Sequence, residues 1–173
     1  MKKILLAKPW QVFFLVVGIQ FVYRILMLFG DYDDLLVYTK YMPIIVVVSA
    51  IGFFSWLWCV VINLHNRIPN DITIEINYFK FSFVFVILYL VVASLYVANL
   101  GELPKGKIFI SIHLLSFCLI IYCLLFACKA LKTVEEKRFV ELNECIADLV
   151  MLFIFPIGIW AIQPRVNKIF SSN

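Results

Sequence analysis

The feature that most constrains this chain is a series of apolar runs, each long enough to cross a lipid bilayer. Four runs qualify, at about residues 10–29, 43–64, 81–100 and 108–127. A helix needs about 20 apolar residues to span the hydrocarbon core. The composition agrees, because 64% of the 173 residues are hydrophobic and only 15% are charged, which is too apolar for a soluble domain of this size. We therefore predict an all-α polytopic membrane protein with four transmembrane helices.

That prediction divides the chain into two parts. Residues 1–128 are expected to form the four-helix transmembrane domain. Residues 129–173 are expected to form a cytoplasmic amphipathic helix and a membrane-associated tail. The length leaves no room for a separate soluble module.

The basic residues predict the orientation, because cytoplasmic flanks of membrane spans carry an excess of Lys and Arg. The first loop has Lys40 alone against Asp31, Asp33 and Asp34. The chain start, the second loop and the segment after the fourth run are richer in cations. These are Lys2, Lys3, Lys8, Arg67, Lys80, Lys129, Lys132, Lys137, Arg138, Arg165 and Lys168. We expect both termini to lie inside, with Trp10, Trp56 and Trp58 toward the cytoplasmic interface.

The second loop contains the alternating stretch DITIEINY. Ile72, Ile74, Ile76 and Tyr78 would lie on one side of an extended segment, with polar residues on the other. One interpretation is an extended connector pressed on the bilayer. The other is an edge strand that pairs with another subunit or a partner by β-augmentation.

After the fourth run, residues 129–155 predict one amphipathic helix that Pro156 ends or kinks. Its apolar stripe is Phe139, Leu142, Ile146, Leu149 and Phe153. The charged residues on its remaining surface need water and would be unfavourable against anionic lipid. We therefore predict a partner-facing set made of Glu136, Arg138, Glu141 and Glu144.

The last apolar stretch, FPIGIWAIQPRVNKIF, spans residues 155–170 and is interrupted by Pro156 and Pro164. We expect it to re-enter the inner leaflet or to lie along it. In either case Trp160 would join the other interfacial tryptophans, and Arg165 and Lys168 would meet the anionic leaflet. A fifth full crossing over residues 150–162 is the alternative.

Two ionisable residues fall inside the predicted spans, Arg24 and His113. Such residues are functional hypotheses by default, and both would lie about 9 Å below the outer surface. They could form a polar layer that lines a pore or senses an external event. Alternatively, Arg24 extends toward Asp31, Asp33 or Asp34 while His113 bonds nearby backbone.

The residue patterns indicate no catalytic site, cofactor site or metal site. The spans contain no acidic residue for proton coupling, the chain has no GxSxG nucleophile motif, and only two histidines are present. The scattered basic residues do not indicate nucleic-acid binding.

The four-span layout, the amphipathic segment and the closing GxWxxQPRxNK pattern at residues 158–168 resemble the KwaA-like membrane subunit of the Kiwa anti-phage defence system. The resemblance implies a homo-oligomeric sensor of the bacterial inner membrane that recruits a cytosolic, DNA-binding partner during phage infection. It carries over no catalytic residue.

The sequence therefore favours a non-enzymatic membrane sensor or scaffold that oligomerises and recruits a cytosolic protein. Two other functions remain open at this point. One is a small channel or pore-forming effector with Arg24 and His113 near the conduction path. The other is an accessory subunit that stabilises a larger membrane complex.

Overall fold

The computed structural model describes residues 2–29, 32–100 and 106–171, and the side chains at positions 2, 32–41, 98 and 100 lie outside that description. All regular secondary structure in the described residues is helical, and these residues contain no strand. In chain order the helices are α1 Lys2–Leu5, α2 Pro9–Phe29, α3 Tyr32–His65, α4 Asn77–Leu100, α5 Lys107–Glu136, α6 Ile146–Phe153 and α7 Phe155–Ser171. Helix α2 is π-helical over Phe14–Gly18.

The predicted helical fold is confirmed, and its described residues contain four candidate membrane spans. Within the described residues, four segments are long and apolar enough to cross a membrane, namely Pro9–Phe29, Met42–His65, Asn77–Val97 and Lys107–Glu136. Each contains one of the apolar runs of the sequence almost whole. The apolar runs of the sequence therefore coincide with helices of the length that a membrane crossing needs.

The first predicted loop is wrong from residue 32 onward, because α3 already begins at Tyr32. Asp33 and Asp34 stand in the first turn of this helix, where negative charge is favourable near the helix N-terminus. Pro43 then lies inside the helix rather than at its start. The predicted partners of Arg24 at positions 31, 33 and 34 lie outside the described side chains.

The buried core sits in one half of the bundle. Helix α3 packs against α2, α4 and α5, and α4 packs against α5. The ring of Phe79 stacks between Trp58, at 5.9 Å, and Phe126, at 5.0 Å. A Cβ at Gly52 would lie 2.9 Å from the carbonyl oxygen of Leu15, so glycine allows the π-helical part of α2 to approach α3. We call the end that carries residues 2–8, 66–76 and 132–148 the basal end.

Residues 72–76 of the second loop have no regular secondary structure and pair with no strand of the described chain, and α4 begins at Asn77. Pairing of this segment with another subunit or a partner stays a prediction. The predicted alternation is confirmed for Ile72, Ile74 and Ile76, which are half-buried. Ile74 and Ile76 pack on the helical core. Tyr78 departs from the pattern because the helix has begun, and it is exposed.

The single helix predicted over residues 129–155 is wrong. Helix α5 runs on to Glu136, and Lys137 ends it with left-handed backbone angles, φ 52° and ψ 33°. A non-helical turn and a 3₁₀ turn at Asn143–Cys145 lead to the short helix α6. The turn buries Val140 completely. Because the helix is interrupted, most of the predicted apolar stripe does not form a buried face, and Phe139, Leu142, Ile146 and Phe153 are exposed.

Helices α6 and α7 form an antiparallel hairpin that breaks at Ile154, next to the predicted break at Pro156. Two contacts fix the pairing. Gly158 lies against the backbone of Met151, and Arg165 binds Asp148. A Cβ at Gly158 would lie 1.7 Å from the Met151 carbonyl oxygen, so only glycine fits there.

The turn between α6 and α7 lies deep in the bundle, and α7 then runs back to the basal end. Phe155 packs against Phe53 at 4.9 Å and Trp56 at 5.4 Å. Phe53 stands twelve residues before His65, which is about 18 Å along α3. At the other end of α7, Arg67 donates to the Ile169 carbonyl oxygen at 2.6 Å. Both ends of the hairpin therefore lie at the basal end, and residues 150–162 are not among the four candidate spans.

Candidate functional site at the basal end

A buried glutamine joins the beginning and the end of the chain to α3. Gln163 on α7 is fully buried, and its Oε1 accepts a hydrogen bond of 2.8 Å from Trp56 Nε1. Its Nε2 donates toward the carbonyl oxygens of Leu5 at 3.2 Å and Ala7 at 3.1 Å. The neighbouring Asn167 also donates to Ala7, at 3.1 Å. The backbone of the first turn, which a short helix leaves without partners, is thereby satisfied.

This arrangement changes the interpretation of Trp56. The sequence placed it in an interfacial belt with Trp10 and Trp58, but it is almost fully buried. Trp10 and Trp160 are about half-exposed, and their place at a membrane interface stays a prediction. The sequence carried one signal of the hydrogen bonds around Gln163. This residue is a lone amide within an apolar helical stretch, and a buried amide must find hydrogen-bond partners.

A second cluster ties the hairpin to the end of α5. Arg165 Nη1 donates to Asp148 Oδ1 at 2.6 Å, and its Nη2 and Nε donate to the two carboxylate oxygens of Glu135 at 2.6 Å and 2.8 Å. Asp148 is buried. The hydrogen bonds that Arg165 donates to Glu135 and Asp148 raise the pKa of its guanidinium. Arg165 is therefore committed to protein carboxylates, which departs from its predicted role of meeting the lipid leaflet, whereas Lys168 is exposed.

The loop 137–145 is held by a third cluster, which contains three of the four residues predicted to face a partner. Arg138 pairs with both Glu136 and Glu144. Glu144 Oε1 also accepts from the Glu141 backbone N–H at 3.0 Å, and Lys132 donates to the Glu144 carbonyl oxygen at 2.7 Å. The Arg138 and Glu141 hydrogen bonds lower the pKa of Glu144 to about 2. Glu136, Arg138 and Glu144 thus shape the loop as well as its surface.

The remaining predicted residue, Glu141, stands outside this ion cluster. It is exposed and contributes its backbone N–H to the loop. Next to it, Phe139 is 54% exposed and Leu142 is 57% exposed. The ammonium of Lys129 lies 4.0 Å from the centre of the Phe139 ring. The loop therefore presents charged and apolar groups side by side.

The structure does not bring Arg24 and His113 together within one chain. Both are exposed. His113 Nδ1 instead forms a short hydrogen bond with the hydroxyl of Tyr89 on α4, and the His113 ring stacks on Phe109. The hydrogen-bond partner of His113 therefore lies on α4 and not on α2, the helix that carries Arg24. Contact between Arg24 and His113 across subunits stays a prediction.

The described side chains contain no group of three or more His, Cys, Asp and Glu residues arranged to hold a metal ion. The basal end offers ion pairs, amide hydrogen bonds and an exposed loop. No protein-family model, curated protein or solved structure matches this chain.

Proposed function

We propose that this chain is a non-enzymatic, multi-pass sensor or scaffold of the bacterial inner membrane that acts in anti-phage defence. In this proposal the basal end faces the cytoplasm, with both termini inside. The α6–α7 hairpin then re-enters the inner leaflet without crossing it. The cations at the basal end support this orientation through the positive-inside rule.

The observation that carries the recruiting role is the loop 137–145. It lies beyond the apolar part of α5, exposes Glu141 beside Phe139 and Leu142, and is fixed by Arg138 and Glu144. A surface that is already ordered loses little conformational entropy when a partner docks. Charged groups at its rim would select a partner of complementary charge.

Assembly into a homo-oligomer is supported by the other half of the bundle. Most residues there are exposed, including Phe29 and Ile108. The polar groups of Arg24, Tyr89 and His113 lie in this half, where contact with lipid is costly. A second copy would cover such groups at lower free energy. Chemical cross-linking in native membranes tests this assembly. Recovery of the monomer alone would exclude the homo-oligomer.

The docking surface is tested by a photo-reactive amino acid at position 141 in the native host during phage infection. The same amino acid at position 71 is the control, because Asp71 is another exposed acid at the basal end. We expect a specific cytosolic protein to cross-link from 141 and not from 71. In binding assays with purified proteins, Glu141→Lys should weaken that complex, whereas Asp71→Lys should leave it intact.

Two results would contradict this proposal. Equal cross-linking from positions 141 and 71 would mean that the loop is not the docking site. Absence of any partner, together with ion conductance by the purified protein in liposomes, would favour the channel function.

The defence role is tested by plating a panel of phages on hosts that carry or lack the gene with its native neighbours. A defence protein should lower the plating efficiency of at least one phage, and Glu141→Lys should restore that efficiency. Unchanged plating across the panel would remove the defence role and leave the scaffold role to the binding assay.

The proposed orientation is tested by single-cysteine labelling in a cysteine-free variant. Probes at positions 67, 137 and 173 should be protected from an external reagent in intact cells, and probes at 34 and 105 should react. External labelling at 173 alone would contradict the hairpin.

A further inference from the structure

The basal end contains a second feature, distinct from the exposed surface around Glu141, with a composition that indicates a ligand. A cavity of about 690 Å³ opens between the connection after α3, the end of α5 and the last turns of α7. Its lining includes four cations, Arg67, Lys137, Arg165 and Lys168, and a single acid, Glu135. The remaining lining residues are apolar.

The two arginines form the fixed wall of this cavity. Arg67 donates to the Ile169 carbonyl oxygen at 2.6 Å and lies 4.4 Å from the centre of the Phe170 ring. Arg165 is held by Glu135 and Asp148. Glu135 is therefore already paired and cannot neutralise the other cations. Four cations against one acid make the lining net positive, so we expect the cavity to attract anions.

Lys137 has an unusual backbone conformation for its residue type. It is the only non-glycine residue with positive φ in the described chain, at 52°. The position that ends a helix in this conformation is ordinarily glycine, because a side chain there costs conformational free energy. Lys137 thus adopts a backbone conformation that glycine adopts at lower cost, and its side chain lines the basic cavity.

The level of the cavity decides which anions can reach it. Arg67 follows the span Met42–His65 by two residues, so the cavity lies at the edge of the bilayer, near lipid headgroups. Basic pockets between membrane helices at this level suit phosphate groups. Its volume exceeds that of one phosphate and accommodates a larger headgroup or a small soluble phosphate compound.

We propose that this cavity binds a phosphate group, carried either by an anionic phospholipid of the adjacent leaflet or by a soluble phosphate compound. Lys137 and Lys168 contact the phosphate oxygens, while Arg67 and Arg165 hold the walls apart. The site does not depend on the docking surface around Glu141, so either proposal can fail without the other.

The test uses the full chain in two arms. In the first arm, native mass spectrometry measures retention of phosphatidylglycerol or cardiolipin against phosphatidylcholine. In the second arm, pyrophosphate is titrated onto protein in phosphatidylcholine nanodiscs. Lys137→Gln with Lys168→Gln should weaken binding roughly 25-fold, since each lysine facing a phosphate contributes roughly 5-fold. The control pair Lys3→Gln with Lys8→Gln removes two exposed basal charges outside the cavity and should change binding less than about 3-fold.

The two arms separate the sources of the phosphate. An effect of the lysine pair in the lipid arm alone identifies a headgroup site, and an effect in the pyrophosphate arm identifies a soluble ligand. Lys137→Gly provides a further check, because it should raise the melting temperature while weakening binding roughly 5-fold. Equal losses in both lysine pairs, or no binding in either arm, would overturn the site.

Discussion

Replacing Gln163 by leucine tests whether the buried amide holds the two ends of the chain together. Leucine has a similar volume and keeps the apolar packing, so the change mainly removes hydrogen bonds. The carboxamide pairs with the buried Trp56 N–H and lies within hydrogen-bond distance of the carbonyl oxygens of Ile4, Leu5 and Ala7. Loss of Gln163 would leave these groups without their partner inside the bundle.

The magnitude follows from the hydrogen-bonding capacity of the amide. Nε2 carries two hydrogens for four nearby acceptors, so about two good bonds form there, and Oε1 accepts a third from Trp56. An unsatisfied buried polar group costs about 1–3 kcal/mol. Asn167 still serves the Ala7 carbonyl. With the Trp56 N–H and the Leu5 carbonyl left unpaired, we expect a loss of about 3–4 kcal/mol in the free energy of unfolding.

Equilibrium unfolding in mixed micelles with increasing dodecyl sulfate measures this loss. Gln11→Leu is the matched control, because Gln11 accepts one hydrogen bond from the exposed Lys8 N–H and should cost about 0.5–1 kcal/mol. Trp56→Phe combined with Gln163→Leu should cost less than the sum of the single changes, since the two groups are bonded. Equal effects of Gln163→Leu and Gln11→Leu would refute the view that Gln163 is a structural hub.

Three further predictions concern the hairpin and its neighbouring loop. Asp148→Ala should lower the free energy of unfolding by about 2 kcal/mol. This is less than for a fully buried ion pair, because Arg165 still has its ion pair with Glu135. An effect no larger than that of Glu135→Ala would contradict this prediction. Gly158→Ala should cost roughly 3 kcal/mol by forcing the hairpin open, whereas Gly106→Ala, which meets open space, should be nearly neutral in the same thermal unfolding assay. Since the pKa of Glu144 is lowered to about 2 from its ordinary 4.5, its stabilisation of the loop 137–145 is complete above about pH 4.5 and is lost as the pH falls toward 2. Pulsed amide hydrogen exchange, corrected for intrinsic rates, should show this loosening in the wild type and not in Glu144→Gln.

The residues that the sequence located correctly are those whose placement follows from local pattern. The four apolar runs predict the spans, because a bilayer of fixed thickness requires helices of fixed length. The alternation of isoleucines over residues 72–76 predicts the half-buried connector, since the two sides of an extended chain meet different surroundings. Pro156 indicates the break beside Ile154, because proline cannot donate the hydrogen bond that would continue the helix.

The tertiary structure alone decided where the predicted amphipathic helix ends. Residues 129–155 contain no glycine or proline, so nothing local stops the helix at Lys137. The stop arises because Arg138 turns back to Glu136 and Glu144 while Val140 enters the core. Contacts that compensate for the left-handed backbone of Lys137 override helical propensity, which is worth less than about 1 kcal/mol per residue.

The partners of Gln163 and Arg165 at the basal end were likewise not predictable from the sequence. Gln163 meets Trp56 and Leu5, and Arg165 meets Asp148 and Glu135, across separations of 17 to 158 residues. Local pattern identified Arg165 as a cation near the membrane and Trp56 as an interfacial aromatic, because it records only each residue's own polarity and spacing. Their actual partners depend on how the hairpin folds back into the bundle. Hydrogen bonds and ion pairs act over a few ångströms, so only the packed chain determines which groups come within reach.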